Sequence, residues 1–204
     1  MHLVLVRHAL PVRVDLAAGR ADPGLTELGQ QQAERLVAAL ADPAPVAVYT
    51  STLARAVATA APLARALGIT PTARPDLCEF DAGAGQYVPV HELAAADPAT
   101  WQRMRSGLLP AHVDAGAFTE QVAEAMEAVV AAHPGRVTVV VVAHAGVINV
   151  WLARLLGIDH PLPFPLDYTG ITRVVAARDG LRRIRTVNEI GHVADLLEPV
   201  PGRR

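Results

Sequence analysis

Lysine is absent: all 18 basic side chains among the 204 residues are arginine. That excludes a Walker-type Gly-x-x-x-x-Gly-Lys phosphate loop. Cysteine is nearly absent as well. Cys78 stands alone, so no intrachain disulfide can form, and a reducing compartment is expected. Cys78 itself reads as a buried packing thiol. No cysteine pair exists for zinc. His91-Glu92 runs on into Leu93-Ala94-Ala95, which is not a metalloprotease helix motif. No Gly-x-Ser-x-Gly occurs, so a serine nucleophile elbow is missing. Aromatic residues are 4% of the chain, so the core must be built from Leu, Val, Ile and Ala.

A basic excess is missing too. Against 18 arginines stand 20 acidic residues, for a net charge of −2 and a pI near 6.4. A nucleic-acid partner would call for a basic face. The densest cationic cluster, Arg182-Arg183-x-Arg185, reads as the solvated face of a strand. Long apolar runs are also lacking: Val137 to Val142 is too short to span a bilayer. Met1-His2-Leu3-Val4 shows no charged leader. The expectation is a cytoplasmic protein with no membrane or nucleic-acid partner.

Hydrophobic residues at 51% and charged residues at 19% are ordinary globular usage. The length fits a single domain, expected over 1–198, with a disordered tail at 199–204. Apolar runs at His2 to Val6, Val46 to Tyr49 and Val137 to Ala143 predict buried strands. Ile171 to Ala177 and Leu181 to Val187 predict a hairpin through Asp179-Gly180. Helical periods follow Thr26 to about Ala41, Leu53 to Leu67 with Gly68 as a stop, Thr119 to Ala132, and Val147 to Leu156. Pro62 inside the second is expected to kink it or start a new turn. The alternation predicts an α/β fold: a three-layer sandwich with a mainly parallel central sheet between helices. Residues 81–118, rich in Gly and Pro, predict an irregular lid.

In such sheets ligands bind beyond the carboxyl ends of the strands. There the sequence places Arg7-His8, then Arg55 just past Tyr49-Thr50-Ser51, then Glu79 with Asp81 close by, then His144. Each has an ordinary reading as a satisfied strand-end histidine or a solvated charge. Composition alone gives about 0.7 Arg-His dipeptides by chance. The joint placement is the signal. Two guanidiniums can grip phosphoryl oxygens. A neutral imidazole can attack phosphorus, a charged one can stabilise its oxygens, and a carboxyl group can move the proton. Such a set needs no divalent cation and no cofactor. Glu79 and Asp81, if in a strand, would face the same side and compete for the acid role.

The motifs resemble the histidine phosphatase superfamily, the phosphoglycerate-mutase-like group. The family's Arg-His-Gly strand end is matched by Arg7-His8-Ala9 and its Leu-Thr-x-x-Gly by Leu25-Thr26-Glu27-Leu28-Gly29. Its Ser-x-Leu-x-Arg-Ala-x-x-Thr-Ala is matched by Ser51 to Ala60 and its acid-bearing segment by Glu79 to Gly83. Its second-histidine segment is matched by His144-Ala145-Gly146-Val147-Ile148 and its late element by Asn188 to Val193. The resemblance implies His8 as the phosphorylated nucleophile and Glu79 as the proton donor. It also implies a phosphate pocket of Arg7, Arg55 and His144. Ala9 and Ala145 stand where the family has Gly, and Leu10, Pro11 and Val14 replace its usual polar residues. The expected activity is metal-independent hydrolysis of small phosphomonoesters. Alternatives are a phosphoglycerate-type mutase, with Arg13, Arg74, Arg103 and Arg105 as a second anion grip, and a silent phospho-ligand-binding module. A homodimer through a sheet edge is compatible with the pattern. Tyr87, Trp101, Met104, Leu108 and Leu109 make the lid apolar, either facing substrate or packing on the core. His112 is a further lid candidate for substrate contact.

Overall fold

The computed structural model describes residues 1–15 and 19–197. The expected tail at 199–204 lies outside the described residues. β1 (His2–Arg7) sits inside a six-stranded sheet, flanked by β6 (Thr138–Ala143) in parallel and β7 (Ile171–Ala176) antiparallel. Outward from β6 lie β3 (Ala47–Ser51) and β4 (Thr72–Arg74), all parallel, while β8 (Arg182–Glu189) closes the other edge as a hairpin partner of β7. The sheet is thus mixed and mostly parallel, as the alternation predicts.

The apolar runs explain why the centre is buried on both sides. Side chains alternate along β1 and β6. Leu3, Leu5, Val139 and Val141 face one layer, with α5 (Ala115–Ala132) and α6 (Ala145–Leu156). Val4, Val6, Val140 and Val142 face the other, with α1 (Glu27–Ala39) and α2 (Ala54–Leu67). Burying each such Leu or Val contributes about 1.5–3 kcal/mol, so this two-sided core fixes the register of the central strands. It thereby fixes what emerges at their carboxyl ends.

Local signals set the helix ends. Thr26 Oγ1 accepts from the Gly29 amide at 2.9 Å, capping α1. Asp114 caps α5 the same way from the Ala117 amide at 3.0 Å, so that helix starts at Ala115 rather than Thr119. α6 likewise starts at Ala145, directly after His144, not at Val147. α2 ends at Gly68, whose φ of 66° suits glycine. Pro62 neither ends α2 nor opens a new turn; the helix gives up one amide donor there.

The lid region holds β5 (Gln86–Tyr87), α3 (Val90–Ala96) and α4 (Pro98–Arg105) before α5 begins. β5 pairs with β2 (Val14–Asp15) in a separate two-stranded ribbon, Val14 opposite Tyr87. Cys78 is half-buried rather than buried, its Sγ 3.1 Å from Thr52 Oγ1. Among the described residues no helix is long and apolar enough to cross a membrane.

Candidate active site

β1 delivers Arg7 as its last residue and His8 just beyond, where the His8 amide donates to Ala143 O at 2.9 Å. The turn that follows is held from two helices. The Ala9 amide donates to Thr59 Oγ1 (2.9 Å), whose hydroxyl donates to Arg55 O (2.6 Å), and the Leu10 amide donates to Gln32 Oε1 (2.9 Å). Gly29 lets α1 lean on this turn, because a Cβ there would lie 2.1 Å from Leu10 O. Neither Ala9 nor Ala145 has a positive φ, so both departures from glycine cost little backbone strain.

His8 is 3% exposed, and its Nδ1 lies 2.8 Å from Ala9 O. A carbonyl only accepts, so Nδ1 carries the proton and Nε2 presents its lone pair. Burial above all, then the charges of Arg55, His144 and Arg7, hold the His8 pKa well below the ordinary histidine range. The imidazole is therefore neutral at neutral pH.

Two arginines flank it. Arg7 Nη1 donates to Leu166 O at 2.6 Å while its guanidinium lies 3.9 Å over the Tyr168 ring. Arg55, in the first turn of α2 and 1% exposed, donates from Nη2 to Asp81 Oδ1 at 2.6 Å and lies 4.7 Å over the Tyr87 ring. His144 is fully buried, its Nε2 2.7 Å from Ser51 Oγ and its ring 5.1 Å from that of His8. Burial first, then Arg55 and Arg7, lower its pKa well below the usual value. Arg7 Nε, Arg55 Nε and His144 Nδ1 are all buried without a hydrogen-bond partner. Leaving such a group unmade costs about 1–3 kcal/mol. Their concentration at one place is what an anion site looks like before its anion supplies the acceptors.

Glu79 and Asp81 do not lie in a strand. Residues 79–84 turn, with the Ala82 amide bonded to Glu79 O and the Ala84 amide to Asp81 O. The turn separates the two carboxylates. Asp81 goes to Arg55, whereas Glu79 Oε2 accepts from the Gly146 amide at 2.8 Å. Burial, then the nearby charge of Asp81, push the Glu79 pKa up to about 7, despite the opposing pull of Gly146 and Arg55. Gly146 is required here, because a Cβ would lie 2.3 Å from Glu79 Oε1 and 2.8 Å from the Phe80 ring. Gly146→Ala is expected to displace the carboxylate and to lower turnover of alkyl phosphates on the order of a hundredfold. Inhibition by inorganic phosphate should persist. Comparing alkyl with aryl esters checks this, since aryl esters depend less on the acid.

Arg7, His8, Arg55 and Glu79 line one cavity of about 690 Å³. His144 does not line the cavity directly; its buried ring lies 5.1 Å from that of His8. His112 does line the cavity. Among the described residues no cluster of three or more His, Cys, Asp or Glu is arranged to hold a metal ion. Sequence reasoning did not single out Tyr168, which stacks on Arg7 and has its ring 5.7 Å from that of His8. Its neighbour Thr169 takes φ 55°, an uncommon conformation for a β-branched residue. The Thr169 amide donates to Arg7 O at 3.0 Å. Asn188, from the late motif, accepts from the Asp167 amide at 2.8 Å and so braces the same loop. The Tyr168-Thr169-Gly170 run before β7 was the available signal, and it is weak.

The chain is 33% identical over 181 residues to a PE-PGRS family protein of Mycobacterium tuberculosis, covering 78% of this chain and 31% of that protein. It is 30% identical to a bifunctional protein of the same species, covering 94% of this chain and 54% of that one. The chain thus spans between about a third and a half of the length of these curated relatives. A mycobacterial glucosyl-3-phosphoglycerate phosphatase shares the fold, with a TM-score of 0.75 at 24% identity over 92% of this chain and 98% of that one. The family model described as histidine phosphatase superfamily (branch 1) matches residues 3–190, so the chain belongs to that superfamily.

Proposed function

We propose that the chain is a phosphatase that hydrolyses phosphomonoesters through a phosphohistidine at His8. The observation that carries this reading is the juxtaposition, in one cavity, of the His8 ring with Nε2 available, two arginines with unpartnered nitrogens, and the Glu79 carboxyl. Burial holds the His8 pKa well below the ordinary histidine range and pushes that of Glu79 up to about 7. Nucleophile and acid are ready together in the mildly acidic to neutral range.

Arg7 and Arg55 bind the phosphoryl oxygens through their unpartnered nitrogens. His8 Nε2 attacks phosphorus, the P–O ester bond breaks, and Glu79 gives its proton to the leaving oxygen. A positive His144 beside His8 stabilises the transferring group; a bound phosphate dianion raises its pKa toward that state. The Glu79 carboxylate then takes a proton from water, whose oxygen attacks phosphorus. The P–N bond breaks, releasing inorganic phosphate and restoring neutral His8 and protonated Glu79. The guanidiniums and imidazoles supply the positive charge, so the route needs no divalent cation.

Hydrolysis is favoured over a mutase by the fate of the other arginines. Arg13 pairs with Glu92, Arg74 with Asp76, and Arg103 Nε donates to Leu109 O at 2.6 Å. Of the four named for a second anion grip, Arg105 alone lines the cavity. The test is phosphate release from an aryl and an alkyl phosphate in excess chelator across pH 5 to 9. Turnover is expected with both, and the alkyl rate should fall above about pH 7 as Glu79 ionises. No release from either ester, or an alkyl rate still climbing at pH 9, would contradict the reading.

A further inference from the structure

The cavity is far larger than a phosphoryl group needs, and beyond Arg7, His8 and Arg55 one part of its wall is apolar. Phe80, Leu93, Trp101, Met104, Leu162 and Phe164 all line it. The lid helices α3 and α4 contain no buried residue. Trp101, Met104 and Leu93 stay half-exposed and belong to neither hydrophobic core cluster, whereas the neighbouring Leu109 and Phe118 do. Packing on the core therefore does not account for them; they face the cavity.

Polar groups share the wall: Glu79 and Asp81 are hydrogen-bonded within the protein, and Gln86, Thr100 and His112 also line it. Asn149 spends both ends of its amide on backbone: Nδ2 donates to Ala145 O and Phe164 O, and Oδ1 accepts from the Phe164 amide. Away from the phosphate end, Asp97 and Arg105 bring one charge of each sign. Asp97 offsets the charge of Arg105, so a second carboxylate on the substrate is poorly served there, and a sugar buried against Leu93, Trp101 and Met104 would leave hydroxyls unpaired.

We infer that the alcohol carried by the physiological phosphomonoester is a large apolar group, aliphatic or aromatic, that fills the space between α3, α4 and the Leu162–Phe164 wall. This rests on the phosphatase reading above. The apolar group leaves water for a preformed apolar wall while Arg7 and Arg55 hold the phosphate, as ligand cavities of this size ordinarily work. Phosphoglycerate-like and sugar phosphates are then poor substrates.

The test is a series of n-alkyl phosphates from ethyl to decyl, kept below micellar concentration, with naphthyl phosphate and 3-phosphoglycerate alongside. The expected result is a kcat/KM that rises about threefold to fourfold per added methylene until the cavity is filled. In that result 3-phosphoglycerate falls below butyl phosphate. The naphthyl ester, compared with phenyl phosphate, separates an aromatic from an aliphatic preference. Trp101→Ala and Met104→Ala should flatten the chain-length slope. A general loss of activity scales every ester alike and leaves the slope unchanged, so the slope reports the apolar wall. The matching alkyl phosphonates, which cannot be hydrolysed, read the same slope as Kd. Turnover with no length dependence, or a preference for 3-phosphoglycerate, overturns the apolar-substrate inference while the phosphatase reading stands. No turnover together with a steep phosphonate slope overturns the phosphatase reading and upholds the apolar site. A flat phosphonate slope overturns the apolar site in either case.

Discussion

His8→Ala is expected to abolish phosphomonoester hydrolysis, with a loss in kcat on the order of 10⁴ or more, the scale set by removing a covalent nucleophile. The expectation follows from where the ring sits. β1 projects His8 past the end of the sheet, and the bond from Nδ1 to Ala9 O at 2.8 Å leaves Nε2 as the available lone pair. Among the described residues His112 is the one other imidazole that lines the cavity. His144 is fully buried, and Cys78 Sγ is hydrogen-bonded to Thr52 Oγ1 outside the cavity wall. The guanidiniums of Arg7 and Arg55 remain in the variant, so inorganic phosphate should still bind. That separates loss of chemistry from loss of fold. Binding by calorimetry and a melting curve, run beside the turnover assay, check the result. Residual turnover within tenfold of the parent would mean that another group attacks phosphorus.

Glu79→Gln is expected to act differently on different esters. With an alkyl phosphate the leaving oxygen needs a proton, and turnover should fall on the order of 10²–10⁴-fold. With an aryl phosphate the leaving group departs unaided, so the first step survives. The second step, attack by water, still lacks its base. One equivalent of phenol should appear in a burst, followed by a slow steady rate. The fall in alkyl rate above pH 7 should vanish, because the titrating group is gone. Asp81→Asn is the control. Asp81 raises the Glu79 pKa by its charge, so removing that charge should move the basic limb to lower pH, and releasing Arg55 should change phosphate affinity. Equal losses on both ester classes in Glu79→Gln, without a burst, would remove it from the proton-transfer role.

The central frame was legible because its signal is dense. The β-branched runs at β1 and β6 need burial on both faces, and only the middle of an α/β sheet supplies it. That placed Arg7, His8, Arg55 and His144 at the strand ends, as read from order alone. Gly68, Thr26 and the Asp179-Gly180 turn carried their own local chemistry. What could not be read depends on tertiary contact. β4 is three residues with no apolar alternation, held only by pairing with β3. Residues Glu79–Ala84 turn, with Glu79 bonded to the α6 amide of Gly146 and Asp81 to Arg55, both distant in sequence. The choice between the two carboxylates is therefore invisible until the fold is closed. Tyr168 reaches Arg7 from far along the chain through a loop pinned by Asn188, and no periodicity marks it. His144 was assigned to the phosphate pocket by its motif; its bond to Ser51 Oγ, far away in sequence, could not be read in advance.

The most direct test of a phosphohistidine at His8 is to trap it. Protein mixed with radiolabelled aryl phosphate and quenched within milliseconds in alkali should carry label that is stable to base and released by acid, the behaviour of a phosphoramidate. The label should map to the peptide containing Arg7-His8-Ala9, accumulate further in Glu79→Gln, and be absent from His8→Ala. Turnover without any trapped label in Glu79→Gln, or label on a different residue, would contradict the account.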